Sequence, residues 1–205
     1  MTKNTSVKTE RWESTNGHSP VSVFLNAVHP IRKEIFEIID RETFPVTILK
    51  GKFLLKPGNN TGEYIYLIIK GVIRAYIKEE GKEITTWINE ENEIVGSIRS
   101  LGLYKSSDEY LQAIEDTELI GIPYRTIEHL YDTYPEANII GRKILEESYR
   151  DAEERAYISR IPSAEKKYKR FIDTRPQLVN RVSLKYIASY LGMTLETLSR
   201  VRGRL

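Results

Sequence analysis

Glu196, Ser199, Arg200 and Gly203 stand at i, i+3, i+4 and i+7 near the end of a 205-residue chain. On a helix that spacing gathers them on one face, with Leu198, Val201 and Leu205 on the other. A carboxylate, a hydroxyl and a guanidinium aimed one way suit base edges. Arg200 can give two bonds to guanine O6 and N7, and Glu196 can accept from a cytosine N4 amine, while Ser199 is too short to specify strongly. To hold such a face the chain needs two short helices and a tight turn. Ser183 is placed to cap a first helix that buries Ile187, Ala188 and Leu191. Gly192 can end it in the left-handed conformation, and Thr194 caps the second. This is the layout of a helix-turn-helix. Ser183, Lys185, Thr194, Thr197, Arg202 and Arg204 are placed for phosphate contacts, which set register without reading sequence. The same charges also suit the helix macrodipole, acid at the start and base at the end, so a plain helical hairpin accounts for them too.

The charge distribution favours the nucleic-acid reading. The chain carries 31 basic and 29 acidic residues, a net of +2. Residues 161–205 hold ten Lys/Arg against three Asp/Glu, a net of +7, and residues 1–160 hold 21 against 26, a net of −5. That asymmetry points to a polyanion partner for the C-terminal piece alone. There is no cysteine, which removes disulfides, iron–sulfur clusters and thiolate metal sites. No apolar run approaches the roughly 18 residues of a membrane span, and the N-terminus lacks a basic-then-apolar leader. A soluble cytoplasmic protein without membrane contact is expected.

Residues 1–20, rich in Ser, Thr, Asn and Lys, read as a flexible tail. Residues 21–40 suit one or two short helices broken at Pro30. From Thr43 to about Pro123 short β-rich runs alternate with Gly and Asn, the texture of a barrel, roll or sandwich, and Glu79-Glu80-Gly81-Lys82 has the chemistry of a hairpin turn. Residues 21–134 are therefore read as a β-roll sensor domain whose last helix is Tyr124–Tyr134. A long helix follows over 135–161. Ile140, Ile144, Ser148, Ala152 and Ala156 recur along it as a narrow seam, which reads as a homodimer interface, with Ile139, Leu145 and Tyr149 widening the stripe. Residues 162–205 are the DNA-binding domain, opened by Pro162-Ser163-Ala164-Glu165, which stops the long helix and caps the next.

This order resembles the Crp/Fnr superfamily of bacterial transcription regulators. The likeness is carried by Leu54-Leu55-Lys56-Pro57-Gly58 with Tyr64-Ile65-Tyr66-Leu67-Ile68-Ile69-Lys70-Gly71, by Gly81-Lys-Glu-Ile-Thr-Thr-Trp87 and Glu109-Tyr-Leu-Gln-Ala-Ile-Glu-Asp116, and by Lys185–Arg200, which together look like the Bacteroidetes-type branch. It implies an α+β fold: an N-terminal cyclic-nucleotide-binding-like β-roll, a long dimerisation helix and a C-terminal winged helix-turn-helix. It also implies double-stranded DNA and RNA polymerase as partners. Glu196, Ser199 and Arg200 match the Glu-x-x-Ser-Arg triad of the oxygen-sensing branch. Leu195 stands where the cyclic-AMP receptor branch has an arginine, so the implied half-site is nearer TTGA than GTGA. The family's phosphate-binding Gly-Glu and Arg-Ser pairs fall here on Gly96-Ser97 and Ser107-Asp108. The arginine is missing, Asp108 would repel a phosphate, and Arg99 and Lys105 lie off the motif, so cyclic AMP is not expected. No other effector or cofactor is identified.

Two rival functions differ in kind. A cupin-like metal enzyme needs several histidines inside the roll, but the three present are His18, His29 and His129, none between 29 and 129. No catalytic residue and no metal ligand is assigned. The other rival is a ligand-binding β-roll whose basic C-terminus meets a protein. Steep salt dependence of duplex binding separates it from a DNA reader.

Overall fold

The computed structural model describes residues 12–58, 62–103 and 106–204. Chain order is α1 (Pro20–Val28), α2 (Lys33–Glu42), β1 (Phe44–Ile48), β2 (Phe53–Leu55), β3 (Tyr64–Lys70), β4 (Ile73–Glu79), β5 (Lys82–Asn89), β6 (Ile94–Val95), β7 (Tyr110–Ala113), β8 (Thr117–Pro123), α3 (Tyr124–Thr133), α4 (Pro135–Arg160), α5 (Ala164–Thr174), α6 (Leu184–Tyr190) and α7 (Leu195–Arg202).

The β-rich segment folds into two four-stranded sheets, ordered β1-β8-β3-β6 and β2-β7-β4-β5, with every pairing antiparallel. Ile48, Ile68, Ile73, Ala75, Val95, Leu111, Ala113 and Leu119 fill the space between them. The expected turn is there. Glu80 and Gly81 both take positive φ, 48° and 77°, between the paired residues Glu79 and Lys82. Two left-handed residues match the twist of the flanking strands. Further along the same hairpin Ala75 faces Trp87 and Tyr76 faces Thr85, so Thr86 is an extra residue in a bulge.

Two expectations are corrected by packing. The tail does not extend to residue 20. Trp12 is buried against Val21, Ile35 and Ile39, and its ring N–H donates to Asp40 O at 3.0 Å. The Asp40 carboxylate then accepts from Ser19 N (2.8 Å) and Ser22 Oγ (2.6 Å) and meets His18 Nδ1 (2.7 Å). Polar composition concealed an anchored segment; residues 1–11 lie outside the described ones.

The long helix is present, but the residues expected along its seam do not share one open face. Ile140 is only 4% exposed within its own chain, and a side chain at Gly141 would run into Tyr131 of α3. Steps of four residues advance about 40° round an α-helix, so a seam drawn from Ile140 to Ala156 wanders by roughly 160°. The face left open is instead Leu145 (60% exposed), Tyr149 (71%) and the exposed Ala152, with half-buried Ala156 beyond. These follow at i, i+4, i+7 and i+11, a true heptad spacing. Ser148 is exposed beside them and Ile144 is half-buried.

At the far end, Ile158 enters a core built by Tyr168, Phe171, Leu178, Val182, Ile187, Ala188, Leu191, Leu198 and Val201. The same cluster takes in Val72, Ile88 and Ile114 from the roll. The C-terminal helices are therefore seated on the β-sheet domain rather than tethered beside it. Among the described residues after α5 there is no strand.

Candidate nucleic-acid interface

The turn between α6 and α7 is locally determined. Met193 N donates to Ala188 O (3.0 Å) and Gly192 N to Ser189 O (3.2 Å), the paired bonds of a Schellman stop, with Gly192 at φ 64°. Lys167 Nζ on α5 donates to the leftover Leu191 carbonyl at 3.0 Å. The Thr194 hydroxyl accepts from Thr197 N at 3.2 Å and starts α7. Ser183 occupies the capping position of α6, but its hydroxyl makes no capping bond. It stays exposed and open to an outside acceptor.

α7 presents the expected two faces. Leu198 and Val201 are buried; Glu196, Ser199, Arg200, Arg202 and Arg204 are exposed. Leu205 lies outside the described residues. Lys185 and Thr194 are exposed, whereas Thr197 is half-buried and bonded to Thr194 Oγ1 at 3.1 Å, which leaves it the least available of the phosphate candidates. The Glu196 carboxyl is held below the ordinary carboxylate range, first by its own backbone N–H and then by the Thr194 hydroxyl. It is therefore an ionised acceptor at neutral pH.

Sequence reasoning missed how the reading helices are mounted. Arg181 lies between Glu91 and Glu115, bonding Glu91 through two nitrogens at 2.8 and 2.7 Å and Glu115 through Nη2, with Glu90 at 3.5 Å. Arg175 bonds Glu93 and sits 3.3 Å from Asp151. Arg170 on α5 chelates Glu154 on α4 at 2.6 and 2.8 Å. Three of the ten C-terminal cations are thus neutralised within the chain, and the surplus left for a polyanion is smaller than the sequence tally suggests. A second set of contacts joins α6 to the roll. The Arg74 guanidinium, 1% exposed, lies between the rings of Tyr76 (4.3 Å) and Tyr186 (4.0 Å) while bonding Thr85 and Glu83. Burial, and next the nearby Glu83, push the Tyr76 hydroxyl up to about 12. None of these contacts has a periodic signature; the nearest hint was an arginine amid the apolar residues that begin β4.

In the roll, Ser97 and Ser107 do come together, Oγ to Oγ 2.7 Å, but around a carboxylate. Ser97 Oγ is 2.8 Å from Glu109 Oε2, and Glu109 N donates to Ser107 Oγ at 3.0 Å. All three residues are buried. Each hydroxyl has one proton, so the circuit closes when Ser107 donates to Ser97 and Ser97 to Glu109. Asp108 stays outside, 3.7 Å from Arg99 on the surface. Lys105 lies outside the described residues. Glu109 opens one of the motifs that carry the family likeness and precedes β7, but nothing in its spacing announced this contact.

Comparison with known proteins agrees with this architecture. Residues 45–134 match the cyclic nucleotide-binding domain family. The chain is 26% identical over 183 residues to the fumarate and nitrate reduction regulatory protein of Yersinia pestis, covering 83% of this chain and 71% of that one. The structure of FixK2 from Bradyrhizobium japonicum is similar at TM-score 0.69 and 19% identity, over 80% of this chain and 84% of that one. A protein of the Crp/Fnr family from Eubacterium rectale is similar at TM-score 0.67 and 16% identity, over 89% and 87%. At such identities the two structures speak to the fold.

Proposed function

The chain is a member of the Crp/Fnr superfamily, and on that premise we propose that it is a transcription regulator that binds an inverted-repeat DNA site as a homodimer. One observation carries the reading: Glu196, Ser199 and Arg200 project from α7 into solvent while the opposite face of that helix is fully packed. A helix fixed from behind and polar in front is built to be read against something. Arg200, Arg202 and Arg204 have no ion-pair partner among the described residues, unlike Arg170, Arg175 and Arg181. RNA polymerase is the expected later partner, and the cytoplasm the expected place; among the described residues no helix is long and apolar enough to cross a membrane.

The test is fluorescence anisotropy with an inverted-repeat duplex, of TTGA-type half-sites or selected from a random pool, against its scrambled counterpart. Arg200→Ala is expected to cost about 1–3 kcal/mol on the repeat and to relax preference at one base pair per half-site. Arg202→Ala should weaken both duplexes alike and reduce the salt slope by about one. Equal affinity of the unaltered protein for the two duplexes would sink the reading.

Glu109 bears on the effector. Buried Glu109, with its carboxyl on Ser97 and its backbone N–H on Ser107, occupies the region where the family resemblance places a cyclic phosphate, and no arginine stands on the motif to compensate such an anion. Calorimetric titration of the protein with cyclic AMP should show no binding at millimolar ligand. Saturable heat at micromolar ligand would overturn this reading of the pocket.

A further inference from the structure

The contacts that join α6 to the roll meet at one buried side chain. The guanidinium carbon of Arg74, on β4, lies 4.3 Å from the ring centre of Tyr76 and 4.0 Å from that of Tyr186 on α6. Its edge is held as well, with Nε donating to Thr85 Oγ1 and Nη1 to Glu83 Oε2, each at 2.8 Å. The roll side of this clamp is braced across three strands. Tyr76 stacks on Tyr110 of β7 at 4.7 Å with 4° between the planes, and Tyr110 meets Phe53 of β2 at 6.0 Å and 60°. Ser189, one turn beyond Tyr186, bonds the main chain of Thr85 and Glu83, the same two residues whose side chains hold Arg74. α6 is thereby fixed to the roll at two points.

Apolar contact already joins the two units, since Val72, Ile88 and Ile114 of the roll enter the C-terminal core. Such contact is non-directional. A buried guanidinium bears a desolvation cost that an apolar side chain avoids. What it adds is a plane, defined here by two rings and two hydrogen bonds. α6 shares its core with Leu198 and Val201 of α7. The angle given to α6 is therefore the angle at which Glu196, Ser199 and Arg200 are presented. We propose that Arg74 is a positioning residue for DNA recognition: from within the β-roll it sets the direction in which α6 and α7 face, and with it the half-site spacing that the homodimer accepts. This rests on the DNA-reading function proposed above and adds to it what fixes the spacing.

One base pair added between half-sites turns the second by about 35° round the duplex axis. Full-length protein is titrated by anisotropy against its inverted repeat, against repeats with the spacer one base pair longer or shorter, and against a repeat with one base pair changed in each half-site. The unaltered protein should lose at least about a hundredfold on either altered spacer, because only one half-site can then be engaged. Arg74→Met and Tyr186→Leu should each bind the best spacer about tenfold more weakly, as expected for a desolvated cation–π contact. Their penalty for an altered spacer should fall to about tenfold or less. Their preference at the changed base pair should be that of the unaltered protein, since the α7 face is untouched. The double variant should be no worse than either single one, as both open the same clamp. The Tyr186→Leu arm decides the matter even if Arg74→Met fails to fold, because Tyr186 is half-buried and leucine keeps an apolar contact there. A variant that weakens on every duplex alike, with its spacer ratio intact, would show that the clamp only stabilises the fold and would overturn the proposal while the DNA-reading function stands. Tighter binding by the variants would overturn it too, by showing that the clamp holds α6 away from DNA. If the unaltered protein does not prefer the inverted repeat to its scramble, the function itself fails and this inference with it.

Discussion

Changing Leu145 and Tyr149 together to glutamate should yield a folded monomer that binds an inverted-repeat duplex at least about a hundredfold more weakly than the parent protein. Neither side chain is packed within its own chain, at 60% and 71% exposed, so the fold has little to lose. A twin helix would bury both, and aromatic and aliphatic anchors of this kind hold most of the energy of such an interface. Four carboxylates facing one another across a seam would instead repel. Losing the dimer converts the second half-site contact from an intramolecular event to an independent one, a factor commonly of about 100 to 10,000. Sedimentation gives the mass and anisotropy the affinity. A variant that remains dimeric would place the interface elsewhere. Ile140→Glu is the contrasting control: at 4% exposed it should unfold the chain rather than split a dimer.

Arg181→Met is expected to have the next largest effect, a loss of about 2 kcal/mol of stability together with loosening of the C-terminal helices from the roll. The arginine is 28% exposed, which tempers the cost of breaking a fully buried pair. Its removal leaves Glu91 and Glu115 with no cation between them, and Glu90 close by. In the unaltered protein the Arg181 guanidinium, assisted by the Gly71 N–H, holds the Glu91 carboxyl down at about 2 against an ordinary 4.5. A depressed carboxyl contributes stability that is complete above its unfolded value and disappears as pH falls from about 4.5 towards 2. Glu90 works weakly the other way, raised by burial and then by Glu93. Urea titrations across pH 2–7 should therefore show an acid limb that Arg181→Met largely abolishes. An unchanged denaturation midpoint at pH 7 would show that the ion pairs do not hold the two units together.

Much of the fold could be read from local chemistry. Pro30, Gly81, Pro135, Ser163, Gly192 and Thr194 each mark a boundary through a backbone preference that needs no tertiary help, and the structure places turns or helix ends at all of them. The outward set on α7 followed from the same kind of rule. What failed was of two kinds. The α4 seam required knowing what lies beside a helix at each level: Ile140 faces its own chain and Leu145 does not, though both are apolar. Trp12 shows the same dependence, since a tryptophan amid polar residues gains its partners from α1 and α2. The ion pairs that tie Arg175 and Arg181 to the roll join residues 66 to 91 positions apart, and the Ser97–Glu109 circuit relies on a loop fold that no spacing reports. β6, two residues long, is too short to carry a pattern.

The Ser189 hydroxyl has a further role. It accepts from Thr85 N at 2.9 Å and donates to Glu83 O at 3.0 Å, so one side chain of α6 occupies two of the main-chain groups of β5, the last strand of its sheet. A terminal strand with free amides and carbonyls is a template on which another chain can add. Variants that release the C-terminal helices should therefore not merely lose orientation. They should uncover a sticky border and self-associate through strand addition, so that precipitation during purification becomes a signature of undocking.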